Sequence, residues 1–168
     1  MRLEADQDCL TCDYCKNIYF PEKDEDGVRV LGEAAAEACP ACAIPLVYAS
    51  VARERIRYCM RCRGMLIPMN TFLVLLEELR LGKRGTVALH PPDQEELNRK
   101  LDCPECHQRM DTHVYGGPGN VIIEDCSHCF LNWLDHGKLM RIAHAQEGLY
   151  DEEYRSMKGG APARSSVD

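Results

Sequence analysis

The hydrophobic pattern of this chain is written in short segments. Pro45-Leu46-Val47-Tyr48 and Met110-Asp111-Thr112-His113-Val114-Tyr115 read as strands. Each is answered by a returning strand, Glu54–Tyr58 in the first case and Val121–Asp125 in the second. Gly116-Gly117-Pro118-Gly119-Asn120 marks the second turn. An apolar pair follows each hairpin, Leu66-Ile67 and then Trp133-Leu134. Residues 70–81 place Phe72, Leu73, Leu75, Leu76 and Leu79 at helical spacing, with Asn70 or Thr71 as cap and Gly82 as stop. Val74 and Leu81 widen that stripe beyond what one small unit covers. The helix is therefore a candidate homodimer or partner surface, with packing on the hairpin or on the other unit as the competing use. Asp93-Gln94-Glu95-Glu96 reads as a capping box opening a short helix through Lys100. A last helix is expected after Asp135, through Leu139, Met140 and Ile142. No apolar run approaches ~18 residues, so no membrane span is expected.

The cysteines change this picture. The chain has 168 residues and 11 cysteines, against 11 aromatic residues: one Trp, seven Tyr and three Phe. So few aromatic side chains favour several small stapled cores over one large core. The start, MRLEADQDCL, lacks the apolar stretch of a secretory leader, and a cytoplasmic setting with reduced thiols is expected. In that setting paired cysteines point to metal, not to disulfides. Net charge is -7 and is uneven: residues 1–38 carry -6, residues 39–84 carry +5 and residues 85–168 carry -6. Phosphate affinity needs a basic footprint, so global nucleic-acid binding is disfavoured.

Ten cysteines form five C-x-x-C pairs: Cys12/Cys15, Cys39/Cys42, Cys59/Cys62, Cys103/Cys106 and Cys126/Cys129. Such a turn, or knuckle, sets two thiolates on one side of a tight loop. Two facing knuckles make a tetrahedral S₄ site suited to Zn²⁺. Internal repetition pairs them. Cys39-Pro40-Ala41-Cys42 precedes Cys59-Met60-Arg61-Cys62 by a 16-residue gap, and Cys103-Pro104-Glu105-Cys106 precedes Cys126-Ser127-His128-Cys129 by 19. The order knuckle, hairpin, knuckle, helix is written twice. The expected ligands are Cys39, Cys42, Cys59 and Cys62 for one zinc, and Cys103, Cys106, Cys126 and Cys129 for another. A unit of about 40 residues needs such a staple to fold. A closed thiolate shell leaves no position for water or substrate, which argues against an enzyme.

Residues 103–140, CPECHQRMDTHVYGGPGNVIIEDCSHCFLNWLDHGKLM, resemble the bacterial zinc ribbons named for their similarity to the ribbon of transcription factor IIB. Ile123, Asp125, Cys126, Cys129, Trp133, Leu134, Asp135, Gly137 and Leu139 match that family's pattern. Lys138 stands where the family usually has Glu, and the glycine usual after the last cysteine is missing from Phe130-Leu131-Asn132. Residues 39–80 look like a diverged copy that keeps Arg63-Gly64 and replaces the W-L-D run with Leu66-Ile67-Pro68. The resemblance implies a small metal-stabilised α+β fold of two tandem zinc ribbons, each followed by a helix. It implies transcription only by analogy. The expected organisation is a Cys-rich segment at 1–38, a first ribbon and helix at 39–82, a linker and short helix at 83–100, a second ribbon and helix at 101–155, and a disordered tail at 156–168.

Three cysteines stay outside this scheme. Cys9, Cys12 and Cys15 are either a third metal site, completed by a His such as His90 or by a partner chain, or include a free thiol. Cys12/Cys15 followed by Ile18-Tyr19-Phe20-Pro21 also looks like a rubredoxin knuckle, and pairing it with Cys39/Cys42 would give an iron electron-transfer site. Cys103-Pro104-Glu105-Cys106-His107 satisfies the haem-attachment pattern, but attachment would strip two ligands from a ribbon. Arg53, Arg55 and Arg57 alternate on one strand and are candidate nucleic-acid contacts. Their competing role is to offset thiolates and the acidic N-terminus. His128, His136 and His144 read as surface residues. The expected role is a zinc-binding, non-enzymatic adaptor with an unidentified protein partner. An iron electron-transfer or thiol redox-sensing protein is the alternative.

Overall fold

The computed structural model describes residues 2–4, 9–82, 91–116 and 120–145. The centre of the linker with His90, the tip of the Gly116–Asn120 turn and the tail from Ser156 lie outside them. Three short strands, β1 (Arg2–Glu4), β2 (Cys9–Thr11) and β3 (Ile18–Tyr19), form a small antiparallel sheet. β4 (Arg29–Ala38) leads into the first repeated unit, which contains β5 (Pro45–Val51), β6 (Glu54–Tyr58), β7 (Met65–Pro68) and α1 (Met69–Gly82). A short helix, α2 (Gln94–Leu97), precedes the second, which contains β8 (Asp111–Val114), β9 (Ile122–Cys126), β10 (Leu131–Leu134) and α3 (Lys138–His144).

Both hairpins lie where the alternation put them. The β5–β6 turn is Ala52-Arg53, with φ of 46° and 71°. Positive φ at both central residues is the geometry that matches the twist of a two-residue hairpin. Arg53 therefore belongs to the turn and not to the strand that carries Arg55 and Arg57. Residues 29–38, read as part of an acidic segment, form a ten-residue strand against β5. Its register breaks between Val30 and Ala34, where Gly32 has φ 78° and supplies the bulge.

The two units share one sheet. The strand order is β4-β5-β6-β7-β10-β9-β8. The apolar pairs of the sequence lie in β7 and β10, which run antiparallel to each other. Leu66 pairs with Trp133, Met65 with Leu134 and Ile67 with Asn132. Trp133 lies 67 residues after Leu66, the offset that also separates Cys59 from Cys126. Equivalent residues thus face each other, and the two units are related by an approximate twofold axis through the Leu66–Trp133 pair.

The pleat sends successive residues to opposite faces. Met65, Ile67 and Leu134 join Phe72, Leu75, Leu139 and Ile142 under the two helices. Leu66, Leu131 and Trp133 join Leu46, Met110 and the cysteines on the other face. Helix α1 packs on α3, and Phe72 meets Tyr115 edge-on with ring centres 5.5 Å apart. Most of the wide stripe on α1 is used internally, while Leu73 and Val74 remain exposed. No helix among the described residues is long and apolar enough to cross a membrane.

Gly64 is a close-packed point of this junction. A Cβ there would lie 2.2 Å from Cζ2 of the fully buried Trp133. Gly64→Ala should cost about 1–3 kcal/mol by overpacking, and Trp133→Leu should remove most of that cost in the double variant. Chemical denaturation of the four proteins measures the coupling.

Candidate metal centres

Each centre is assembled by a hairpin. Cys39 and Cys42 precede β5, and Cys59 and Cys62 follow β6. Pairing of Val47 with Tyr58 brings the second knuckle back beside the first. The ladder from β8 to β9 does the same for Cys103, Cys106, Cys126 and Cys129. In each group the four sulfurs lie within 4.8 Å of one another. Cys39 and Cys62 are 3.6 Å apart, as are Cys106 and Cys126. Sulfurs tetrahedrally placed roughly 2.3 Å from one ion stand about 3.8 Å apart, so both sets are grouped closely enough to hold a metal. One thiol of each knuckle pair is buried and the other half-buried.

Knuckle geometry is uniform. The residue after the second cysteine is left-handed at Ala43 (φ 57°), Arg63 (59°), His107 (58°) and Phe130 (55°). The sequence offers no glycine at these positions. Each non-glycine residue there costs roughly 1–2 kcal/mol, small beside about 10–16 kcal/mol for structural zinc. Without metal, burial drives Cys39 far above the ordinary thiol range and Cys62 up to about 11. Burial acts the same way on Cys59, but the N–H groups of Cys62 and Arg61 and the neighbouring thiols hold it below that range. Gln108 N–H, with the other three thiols behind it, holds Cys106 below it too. A dication bound here would take the sulfurs as thiolates, with their protons passing to solvent.

Cys39 and Cys42 face Cys59 and Cys62, so the rubredoxin-like frame, which needs Cys12 and Cys15 in that place, is not formed. Cys103 and Cys106 likewise belong to their own group, with His107 exposed. Cys9, Cys12 and Cys15 do not converge as a ligand set among the described residues. Cys9 is buried on β2, Cys12 is half-buried and Cys15 exposed.

The arginines are drawn onto the acidic N-terminal strand. Arg55 meets Glu33 at 2.8 Å and stacks 4.2 Å over Tyr48. Arg57 lies 3.5 Å from Glu37 on β4 and 3.0 Å from Glu105 of the second unit. Arg63 reaches Glu25 at 3.6 Å. The acidic turn also reaches the second unit. Asp24 accepts hydrogen bonds from Tyr58 Oη and from its own turn, at Asp26 N and Val28 N. Asp26 contacts His136 Nδ1 at 2.7 Å and accepts from Gly137 N at 3.1 Å. His136 is thus exposed but engaged, His128 is exposed, and His144 is half-buried. Nothing local in Asp24-Glu25-Asp26-Gly27 names Tyr58 or His136 as its partners.

A charged cluster pins the linker to the second unit. Arg99 Nε donates to Glu124 at 2.7 Å, and the same guanidinium donates to both oxygens of Asp135 at 3.1 and 2.6 Å. Lys138 binds Asp135 at 2.7 Å and also Glu96. The expected capping box is half made: Asp93 accepts from Glu95 N at 2.9 Å, while Glu96 is taken by Lys138. Burial raises Glu124 despite Arg99. Burial opposes ionisation of Asp135 too, but Arg99 and Lys138 win and hold it at about 2.

Compared with known proteins, the chain matches no family model, no curated protein and no solved structure.

Two outcomes follow from this geometry. Arg99→Met strands the fully buried Glu124 and should cost about 3–5 kcal/mol at neutral pH, most of it recovered by adding Glu124→Leu. Urea titration checks both. Cys59→Ala with Cys62→Ala should remove one metal per chain and red-shift the emission of Trp133, although Trp133 belongs to the other unit, because Gly64 and β7 cover its ring.

Proposed function

We propose that this chain is a double zinc ribbon acting as a non-enzymatic binding or adaptor module, with two structural zinc ions and a protein as its main partner. The observation that carries this reading is the pair of closed four-sulfur clusters built into a single sheet. Four protein ligands saturate tetrahedral zinc and leave no open position for a substrate. Repetition of the unit within one sheet suits a rigid platform. Its exposed apolar groups Met60, Leu73 and Phe130 lie at a knuckle tip, on α1 and beside the last cysteine, where a partner can reach them.

A nucleic-acid role receives less support. Arg55 and Arg57 are held by Glu33, Glu37 and Glu105, so their charge is largely balanced within the fold. The iron electron-transfer alternative loses its rubredoxin frame, although four thiolates at these distances also accommodate iron.

Protein purified untagged, without added metal, should be colourless with zinc at both clusters. A red, reversibly reducible iron protein would overturn the zinc reading. Zinc uptake by the metal-free chain should release protons, because the ligands bind as thiolates. Apparent affinity should therefore fall as pH falls, as followed with a chromophoric competing chelator. Binding to single- and double-stranded DNA and RNA across salt should be weak, and Arg53→Ala, Arg55→Ala and Arg57→Ala together should leave it unchanged. A strong salt-dependent affinity lost in that triple variant would restore nucleic acid as the partner.

A further inference from the structure

The N-terminal C-x-x-C turn has the same fold as the metal knuckles. Lys16 N donates to Cys12 O at 2.8 Å, and Cys12 N donates to Asn17 O at 2.9 Å. The turns at Cys39, Cys59 and Cys103 repeat both bonds at 2.7–2.9 Å. Lys16 is left-handed at φ 59°, as are Ala43, Arg63 and His107 in the same place. This is a formed knuckle with two thiols on one side. Unlike the others, it has no facing knuckle among the described residues.

Its surroundings are those of an interface. Tyr14, between the two cysteines, is 97% exposed, and Ile18, Tyr19 and Phe20 beside it are each more than half exposed. A run of large apolar side chains left open around a ligand pair marks a contact surface. The stretch 9–20 carries one acid, Asp13, and one base, Lys16. Further along the segment, Glu25, Glu33 and Glu37 lie on arginines and Asp26 on His136 and Gly137. The stretch 9–20 is itself balanced in charge, so two copies of it meet without net repulsion between them.

Zinc closes with four thiolates, and this knuckle supplies two. We infer that Cys12 and Cys15 hold a third kind of zinc site, shared with the same two cysteines of a second copy of the chain, with Tyr14, Ile18, Tyr19 and Phe20 packing around it. The arrangement is self-complementary, as a twofold dimer requires. Cys9 stays in the core of its small sheet and is not a ligand. The inference rests on the zinc reading of the two main centres.

The test is metal analysis with light scattering of the untagged full chain, kept in a phosphine reductant so that disulfides are absent. A dimer with about two and a half zinc ions per chain is expected, two internal and half of one shared. Cys12→Ser with Cys15→Ser should give a monomer with about two zinc ions and unchanged Trp133 emission, which reports that the body remains folded. Cys15→Ser alone, at an exposed position, should do the same, and His90→Ala should change nothing. A monomer with two ions, a monomer with three, or a dimer that survives loss of both cysteines would overturn the shared site. A monomer with three would place the closing ligands within one chain. Fewer than two zinc ions in the wild type and in both variants would overturn the zinc reading itself, and the bridge with it.

Discussion

The backbone ladder between β7 and β10 is the interaction on which the remaining architecture depends. Each unit alone ends in a four-residue strand with a bare edge and two apolar faces. An unpaired edge is exposed to association, and a unit of about 40 residues cannot cover both faces. Pairing the two edges removes them both, makes one sheet of seven strands, and lets α1 and α3 pack together on one side. The other side is closed by Trp133, which lies over Gly64 of the opposite unit. The approximate twofold axis follows from that pairing, since the two edges are copies of each other.

A metal bound by the two cysteine groups and the sheet would support each other. The hairpins bring the knuckles together, and a metal held by the sulfurs would hold the hairpins. Left-handed residues after the knuckles and buried sulfurs are unfavourable in an isolated chain, and the free energy of ligation would offset them. Burial of half the ligands beside Leu46, Leu66, Leu131 and Trp133 ties each centre to the shared core. Loss of a metal from one centre would therefore be felt across the axis.

Charge is arranged by the same economy of surface. The acidic N-terminal residues and the basic middle third, far apart in sequence effect, meet along β4, β5 and β6. Asp24 and Asp26 tie that N-terminal region to Tyr58 in one unit and to His136 and Gly137 in the other. On the opposite flank, Arg99 from the linker neutralises Glu124 and Asp135. A buried carboxylate such as Glu124 is tolerable only with that partner in place. These ion pairs make the two halves one body more than they supply stability at the surface.

Much was legible from local pattern. Period-two alternation located both hairpins, helical spacing located α1, and the spacing of C-x-x-C pairs grouped eight cysteines into two fours, because ligand chemistry and chain reach both act over short separations. Leu66-Ile67 and Trp133-Leu134 were visible as apolar pairs but not as strands, since four residues carry too little periodicity to declare a ladder whose partner is 67 residues away. The same limit hid β4, whose glycine and alanines give no alternation, and hid Arg99, Glu124 and Lys138 as a cluster. The sequence by itself determined the two hairpins and the grouping of eight cysteines into two fours. Only the tertiary structure decided how the units join, because that depends on which exposed edges and uncompensated charges find each other once both are folded.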